Sequence, residues 1–314
     1  MSEVDLRSSV PTPGGGARRR APRSDDPALA PRTPNRHIAR NIVAVILVVL
    51  AVFWLQDLLR RPALDWPTIA QYFLSYDVLA GLGRTLLITG ISIVVAIILG
   101  TILATMRLSD NPLLRAIAWV YVWFFRSVPL LVLLILTFNL SLLYPAFALG
   151  VPYGPQLFSI STQDLINPLV AAIVTFSLQQ AAYTSEVLRA SIQSVPVGQR
   201  EAASALGMTK MRTMLKIVFP QAMRVALPPV ANDTINLLKS TALVAFIAVP
   251  DLVYTVQQIY AANFRIIPLL MVATFWYMIV VSILSAAQYL IERRLKNSPT
   301  RIAPLPAAEE ETAS

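Results

Sequence analysis

Residues 201–220 read Glu201-Ala-Ala-Ser-Ala-Leu-Gly207, then nine residues, then Ile217-Val-Phe-Pro220. The stretch lies between two long apolar runs, in a region rich in Arg and Lys. Gln199 to Leu206 are good helix formers with almost no bulk on one side. Gly207 suits a helix stop, because glycine enters the left-handed region at little cost. Thr209 can cap a second helix starting just after it. Pro220, lacking an N–H, is expected to end or kink that second helix. The product is a short helix carrying Ala202, Ala203 and Ala205, whose small side chains let a partner's backbone approach. Glu201 near its start suits the helix dipole. On local physics alone, an ordinary amphipathic hairpin fits as well.

The rest of the chain supplies the setting. Of 314 residues, 56% are apolar and only 14% charged, with a mean hydropathy of +0.62. A soluble domain carries about 25% charge. There is no cysteine, hence no disulfide framework or thiolate metal site, and the single histidine, His37, lies in a polar stretch. Neither a zinc site nor a histidine-based triad has its residues. Six apolar segments, about 41–58, 85–106, 114–142, 166–190, 226–250 and 266–291, have the length of membrane spans.

Basic residues assign the sides. They crowd the tail before the first segment (Arg7, Arg18, Arg19, Arg20 and others), the 4–5 connection (Arg200, Lys210, Arg212, Lys216, Arg224) and the end of the chain, while 143–165 has none. This alternation places both termini in the cytoplasm. It also accounts for the net charge of +9 without nucleic acid. Residues 1–37 read as a disordered basic tail and 293–314 as a second cytoplasmic tail. Residues 38–84 hold the first span and an outer interfacial stretch marked by Trp66, Tyr72, Phe73 and Tyr76.

With this topology in place, the opening stretch resembles the EAA loop of ABC transporter permeases. That pattern is Glu-Ala-Ala, three residues, Gly, nine residues, Ile, one residue, Leu-Pro. Glu201, Ala202, Ala203, Gly207, Ile217 and Pro220 fit it, and Phe219 stands where Leu is usual. Arg126-Ser-Val-Pro-Leu-Leu-Val is similar to a stretch of the polar amino acid permeases of the histidine/glutamine/arginine type, with Ser127 and Val128 replacing Gly and Thr. Ala182-Tyr183-x-x-Glu186-x-x-Arg189 and Lys239-Ser-Thr-Ala-Leu243 continue the likeness.

The resemblance implies an all-α polytopic membrane helix bundle: a type I ABC permease core at 85–292, with its coupling loop at 196–220 and one extra N-terminal transmembrane helix. It implies residence in a bacterial cytoplasmic membrane. Its implied partners are a dimer of ATPase subunits, an extracytoplasmic solute-binding protein, a second permease subunit and a polar amino acid. The chain itself has no catalytic residue and no cofactor on this reading. None of its eleven glycines precedes a Lys, so no phosphate-cradling Gly-Lys-Ser/Thr loop exists and ATP belongs to the partner. A permease for another amine-bearing solute such as an opine is the alternative. A self-sufficient ion-coupled transporter is a further one, although no inverted repeat is visible.

Ionisable groups within spans are costly and usually face a bundle interior or a water path. Arg126, Glu186, Asp233 and Lys239 are such groups. Pro129 is expected to break its helix, so Arg126 reads either as a partner for freed carbonyls or for a substrate carboxylate. Glu186 and Arg189, three residues apart, read as an intrahelical pair. Asp233 and Lys239 are the pair expected to meet a zwitterion. Gln179, Gln180, Tyr183, Asn232 and Asn236 add polar lining to the candidate path.

Overall fold

The computed structural model describes residues 38–150 and 156–296. The tails expected at 1–37 and beyond 296 lie outside the described residues. The chain divides into one unit up to Arg60 and a second from Arg61 onward. The first holds α1, Ile38–Leu59, an apolar helix of 22 residues. Such a helix spans about 33 Å at 1.5 Å per residue, enough for the hydrocarbon core.

The second unit begins with a 3₁₀ turn at Pro62–Leu64 and α2, Trp66–Phe73. Helix α3, Tyr76–Arg107, then runs unbroken for 32 residues. It starts well before the expected 85, inside the stretch read as interfacial. Gly81 lies within it where the start of α12 comes close: a β-carbon there would sit 2.8 Å from the Asp251 carbonyl oxygen, an approach only glycine permits. Asp65 anchors the corner before α2: it accepts a hydrogen bond from the Thr68 hydroxyl and pairs with Arg265, which hold its carboxyl below the usual range. The Trp276 indole donates to the Phe73 carbonyl and stacks on the Phe73 ring, tying α2 to α13, Ile266–Lys296.

Helix α4, Pro112–Ser127, and α5, Leu130–Phe138, meet at Pro129 with a bend of 101°. The expected break is there. A four-residue helix, α6, Leu140–Leu143, leads to a two-stranded antiparallel hairpin, β1 Ala146–Gly150 and β2 Gln156–Ser161. The all-α reading missed this hairpin; its tip, 151–155, is outside the described residues. The Thr162 hydroxyl donates to the Tyr144 carbonyl and closes its base, next to the short α7, Thr162–Leu165.

Helix α8, Pro168–Gln193, is the centre of the second unit. Half its residues are buried, and α3, α4, α5 and α11, Phe219–Ser240, pack around it. Its Ala171, Ala172, Ala181, Ala182, Thr184 and Ser185 are small, so neighbours approach closely; lipid gives helices no hydrophobic drive to associate, and such contacts do that work. Among the described residues three helices are long and apolar enough to cross a membrane, within α1, α3 and α13, and two bent helix pairs pass together. Helix α8 is not one of them. It was expected as an ordinary span, but its amides, hydroxyls, Glu186 and Arg189 lower its apolarity. Enclosure by four other helices makes that composition tolerable.

Helices α9, Val197–Ala205, and α10, Lys210–Thr213, form the loop that opened the sequence reading. A π-type turn at Met214–Val218 then carries the chain into α11. Pro220 was expected to end or kink this segment. It sits instead in the first turn of α11, where its missing N–H is no loss. The Gln221 side chain meets the Ile217 carbonyl at 2.8 Å. Beyond Ser240 a 3₁₀ stretch, Thr241–Ile247, leads to α12, Leu252–Asn263, across a bend of 47°. Asp251 caps α12 by accepting from the Tyr254 amide at 2.8 Å, and it is fully buried. This ionisable group was not among those singled out from the sequence.

Candidate functional site

Two sites emerge, one on the loop and one within the helix bundle. In the loop, α9 closes with a Schellman arrangement. Gly207 has φ +73, its amide donates to the Ser204 carbonyl at 2.9 Å, and the Met208 amide reaches back to the Ala203 carbonyl at 3.0 Å. Thr209 caps α10, its hydroxyl accepting from the Arg212 amide at 3.4 Å. Both local devices stand where the sequence put them.

The six motif residues do not share one surface. Glu201, Ala202, Gly207 and Pro220 are exposed, and Ile217 is half-buried. Ala203, grouped with them as a contact for a partner, is only 4% exposed. Its small side chain lets α9 fold back on the α10 segment of the same chain, so it shapes the hairpin and offers nothing outward. The outward face holds a set that the sequence reading missed. Val197, Leu206, Met211 and Leu215 are between 58% and 81% exposed, Leu206 most of all. Large apolar side chains this open on a basic loop are available for a partner to cover.

The second site is a cavity of about 430 Å³ between the α4–α5 break, the middle of α8 and the C-terminal part of α11. Arg126, Ser127, Val128, Gln179, Tyr183 and Asp233 are among the residues lining it. The break explains the polar lining. The chain turns extended at Val128, and the carbonyl left free there accepts from the Gln179 side chain at 3.1 Å. So the freed carbonyl goes to Gln179. Arg126 instead lies over the Tyr183 ring, 5.3 Å from its centroid, a cation–π contact.

A second cavity of about 350 Å³ adjoins through shared Arg126, Ser127 and Tyr183, and Glu186 and Arg107 line its far side. Glu186 pairs with Arg189 as expected, and also with Arg107 from the end of α3, a partner the sequence reading did not foresee. The pairing of Asp233 with Lys239 as joint lining is not what the structure builds. Six residues turn a helix by about 600°, leaving the two side chains about 120° apart. Asp233 is half-buried and lines the cavity, whereas Lys239 is exposed and lines neither cavity; Asn232 is exposed likewise. Trp119 and Trp123 are exposed, stack on each other at 6.3 Å and line the second cavity.

Comparison with known proteins agrees with this architecture. The family described as binding-protein-dependent transport system inner membrane component matches residues 96–297. The arginine transport system permease protein ArgU of Corynebacterium glutamicum is 36% identical over 272 residues, 85% of this chain and 84% of its own. The L-cystine transport system permease protein TcyB of Bacillus subtilis is 37% identical over 235 residues, covering 74% of this chain and 92% of that one. The crystal structure of an amino acid ABC transporter with histidines superposes with a TM-score of 0.60 at 28% identity, over 69% of this chain and 94% of that one.

Proposed function

Because the chain belongs to the family of binding-protein-dependent transport system inner membrane components, we propose that it is the permease subunit of an ATP-driven importer for a polar amino acid. A separate ATPase dimer hydrolyses the nucleotide and docks on the α9–α10 hairpin. A solute-binding protein delivers the amino acid on the opposite face, and a second permease subunit completes the path. The observation that carries the reading is the hairpin itself: a small-residue helix with a glycine stop, bearing several large exposed apolar side chains, set between α8 and α11. The cavity at the α4–α5 break supplies the passage, and its mix of Arg126, Asp233 and amides suits a polar solute.

The test is uptake by proteoliposomes holding this chain with its partner ATPase and binding protein. Amino acid is expected to accumulate only with ATP on the hairpin side and binding protein on the other. Accumulation driven by an ion gradient without ATP would instead make the chain a self-sufficient transporter.

Both termini lie in the cytoplasm on this reading, because the basic tail and the basic hairpin mark one side and 143–165 lacks Lys and Arg. Reporter fusions check it. A fusion after Thr162 is expected to report the outside and one after Met208 the inside. An outside signal at Met208 puts the hairpin out of reach of any ATPase and ends the reading.

A further inference from the structure

We infer that the cavity at the α4–α5 break recognises the zwitterionic head group shared by all α-amino acids, with Arg126 taking the carboxylate and Asp233 the ammonium. This rests on the permease reading above. It begins with a charge census of the two adjoining cavities. Glu186 spends one carboxylate oxygen on Arg107 and the other on Arg189. With Arg107 and Arg189 so partnered, Arg126 and Asp233 are the charged groups lining the two cavities that make no ion pair among the described residues. Among the described residues no carboxylate lies within ion-pair distance of Arg126, and no cation within that distance of Asp233. The Arg126 guanidinium is held over Tyr183, and Glu186 acts on it electrostatically across the second cavity without forming an ion pair with it.

Charges this deep in a span are expensive unless something compensates them. Here both signs line one cavity, as a zwitterion requires and as a simple cation or anion does not. Gln180 lines the same cavity, and its side-chain amide interacts with the Asp233 carboxylate, so Asp233 is oriented by a neutral group and not by a cation. The volume, about 430 Å³, falls within the range of small-molecule sites and leaves room for a side chain as well as the head group. The head group is therefore what this chain reads, and the side chain passes with little scrutiny.

The test is binding to the purified permease–ATPase complex without the binding protein, followed by thermal shift. The probes are L-arginine, L-glutamine and L-glutamate, each with its α-methyl ester and its des-amino analogue. Their side chains are cationic, neutral and anionic. The three amino acids are expected to bind within about tenfold of one another. Each ester and each des-amino analogue is expected to bind at least about tenfold more weakly, the loss of one charge-assisted contact. Arg126→Gln should erase the penalty of the esters only, Asp233→Asn that of the des-amino analogues only, and Arg126→Lys should retain both. The analogue series on the unaltered complex tests the inference even where a variant fails to fold. A loss in Asp233→Asn confined to arginine assigns Asp233 to a cationic side chain and overturns the proposal, as does no binding of any probe. Failure of the permease reading shows separately, as absent ATP-dependent uptake by the unaltered proteoliposomes.

Discussion

Leu206→Asp is expected to abolish co-purification with the ATPase, and amino acid uptake with it, while leaving the permease folded and inserted. Leu206 caps α9 one residue before the glycine stop and is 81% exposed, so the fold gains almost nothing from it. A partner that covers it gains the burial of a leucine, about 1.5–3 kcal/mol. Aspartate in its place forfeits that and puts an unpaired charge in the contact, which costs several kcal/mol more. A loss of about 4 kcal/mol weakens association roughly a thousandfold. Met211→Asp, two-thirds exposed on the next turn of the hairpin, should act in the same direction. Ala203→Arg should fail differently. At 4% exposure there is no room for arginine between α9 and the α10 segment, so the hairpin itself comes apart and becomes protease-sensitive. Normal co-purification of folded Leu206→Asp with the ATPase would remove this surface from the coupling model.

That distinction between Ala203 and Leu206 shows what the sequence could and could not disclose. Features set by a residue's own chemistry were legible. Pro129 breaks its helix because it has no N–H to give, Gly207 stops α9 because it takes φ +73 without strain, and Thr209 has a hydroxyl placed to cap. Features set by what lies opposite were not. The small residues of α9 were visible, but which face turned inward depended on α10. Asp233 and Arg126 lie on different helices, so no periodicity within one span could join them, and the nearer Lys239 looked the better partner. Asp251 is buried only because α3 lies against the start of α12, where the Leu252 amide donates to the Thr85 hydroxyl at 3.2 Å. The β1–β2 hairpin is two short strands in a stretch whose spacing suggested only a loop.

One missed signal was within reach. Along α3 the buried positions Thr85, Thr89, Ala96, Gly100 and Ala104 are all small and fall at intervals of four or seven. This is a helix-packing stripe, and a search confined to paired glycines passes over it. It predicts the largest effect on the fold: Gly100→Leu is expected to prevent α3 from seating on α8. A β-carbon at Gly100 would lie 2.9 Å from the Thr184 β-carbon and 3.1 Å from the Ala181 carbonyl oxygen. Neither can swing aside, since one is the root of a side chain and the other is backbone. Overpacking a filled interface typically costs about 1–3 kcal/mol, and forcing two backbones apart costs more. Within the membrane no hydrophobic drive pulls the helices back together. Gly90 supplies the control: it lies on the same helix, is exposed, and a β-carbon there would meet nothing within 4 Å. Gly90→Leu should therefore elute from size exclusion as the parent does and unfold at the same temperature, whereas Gly100→Leu should aggregate or lose its folded peak. Equal thermal stability of the two variants would mean that the α3–α8 contact is looser than the 2.9 Å approach demands.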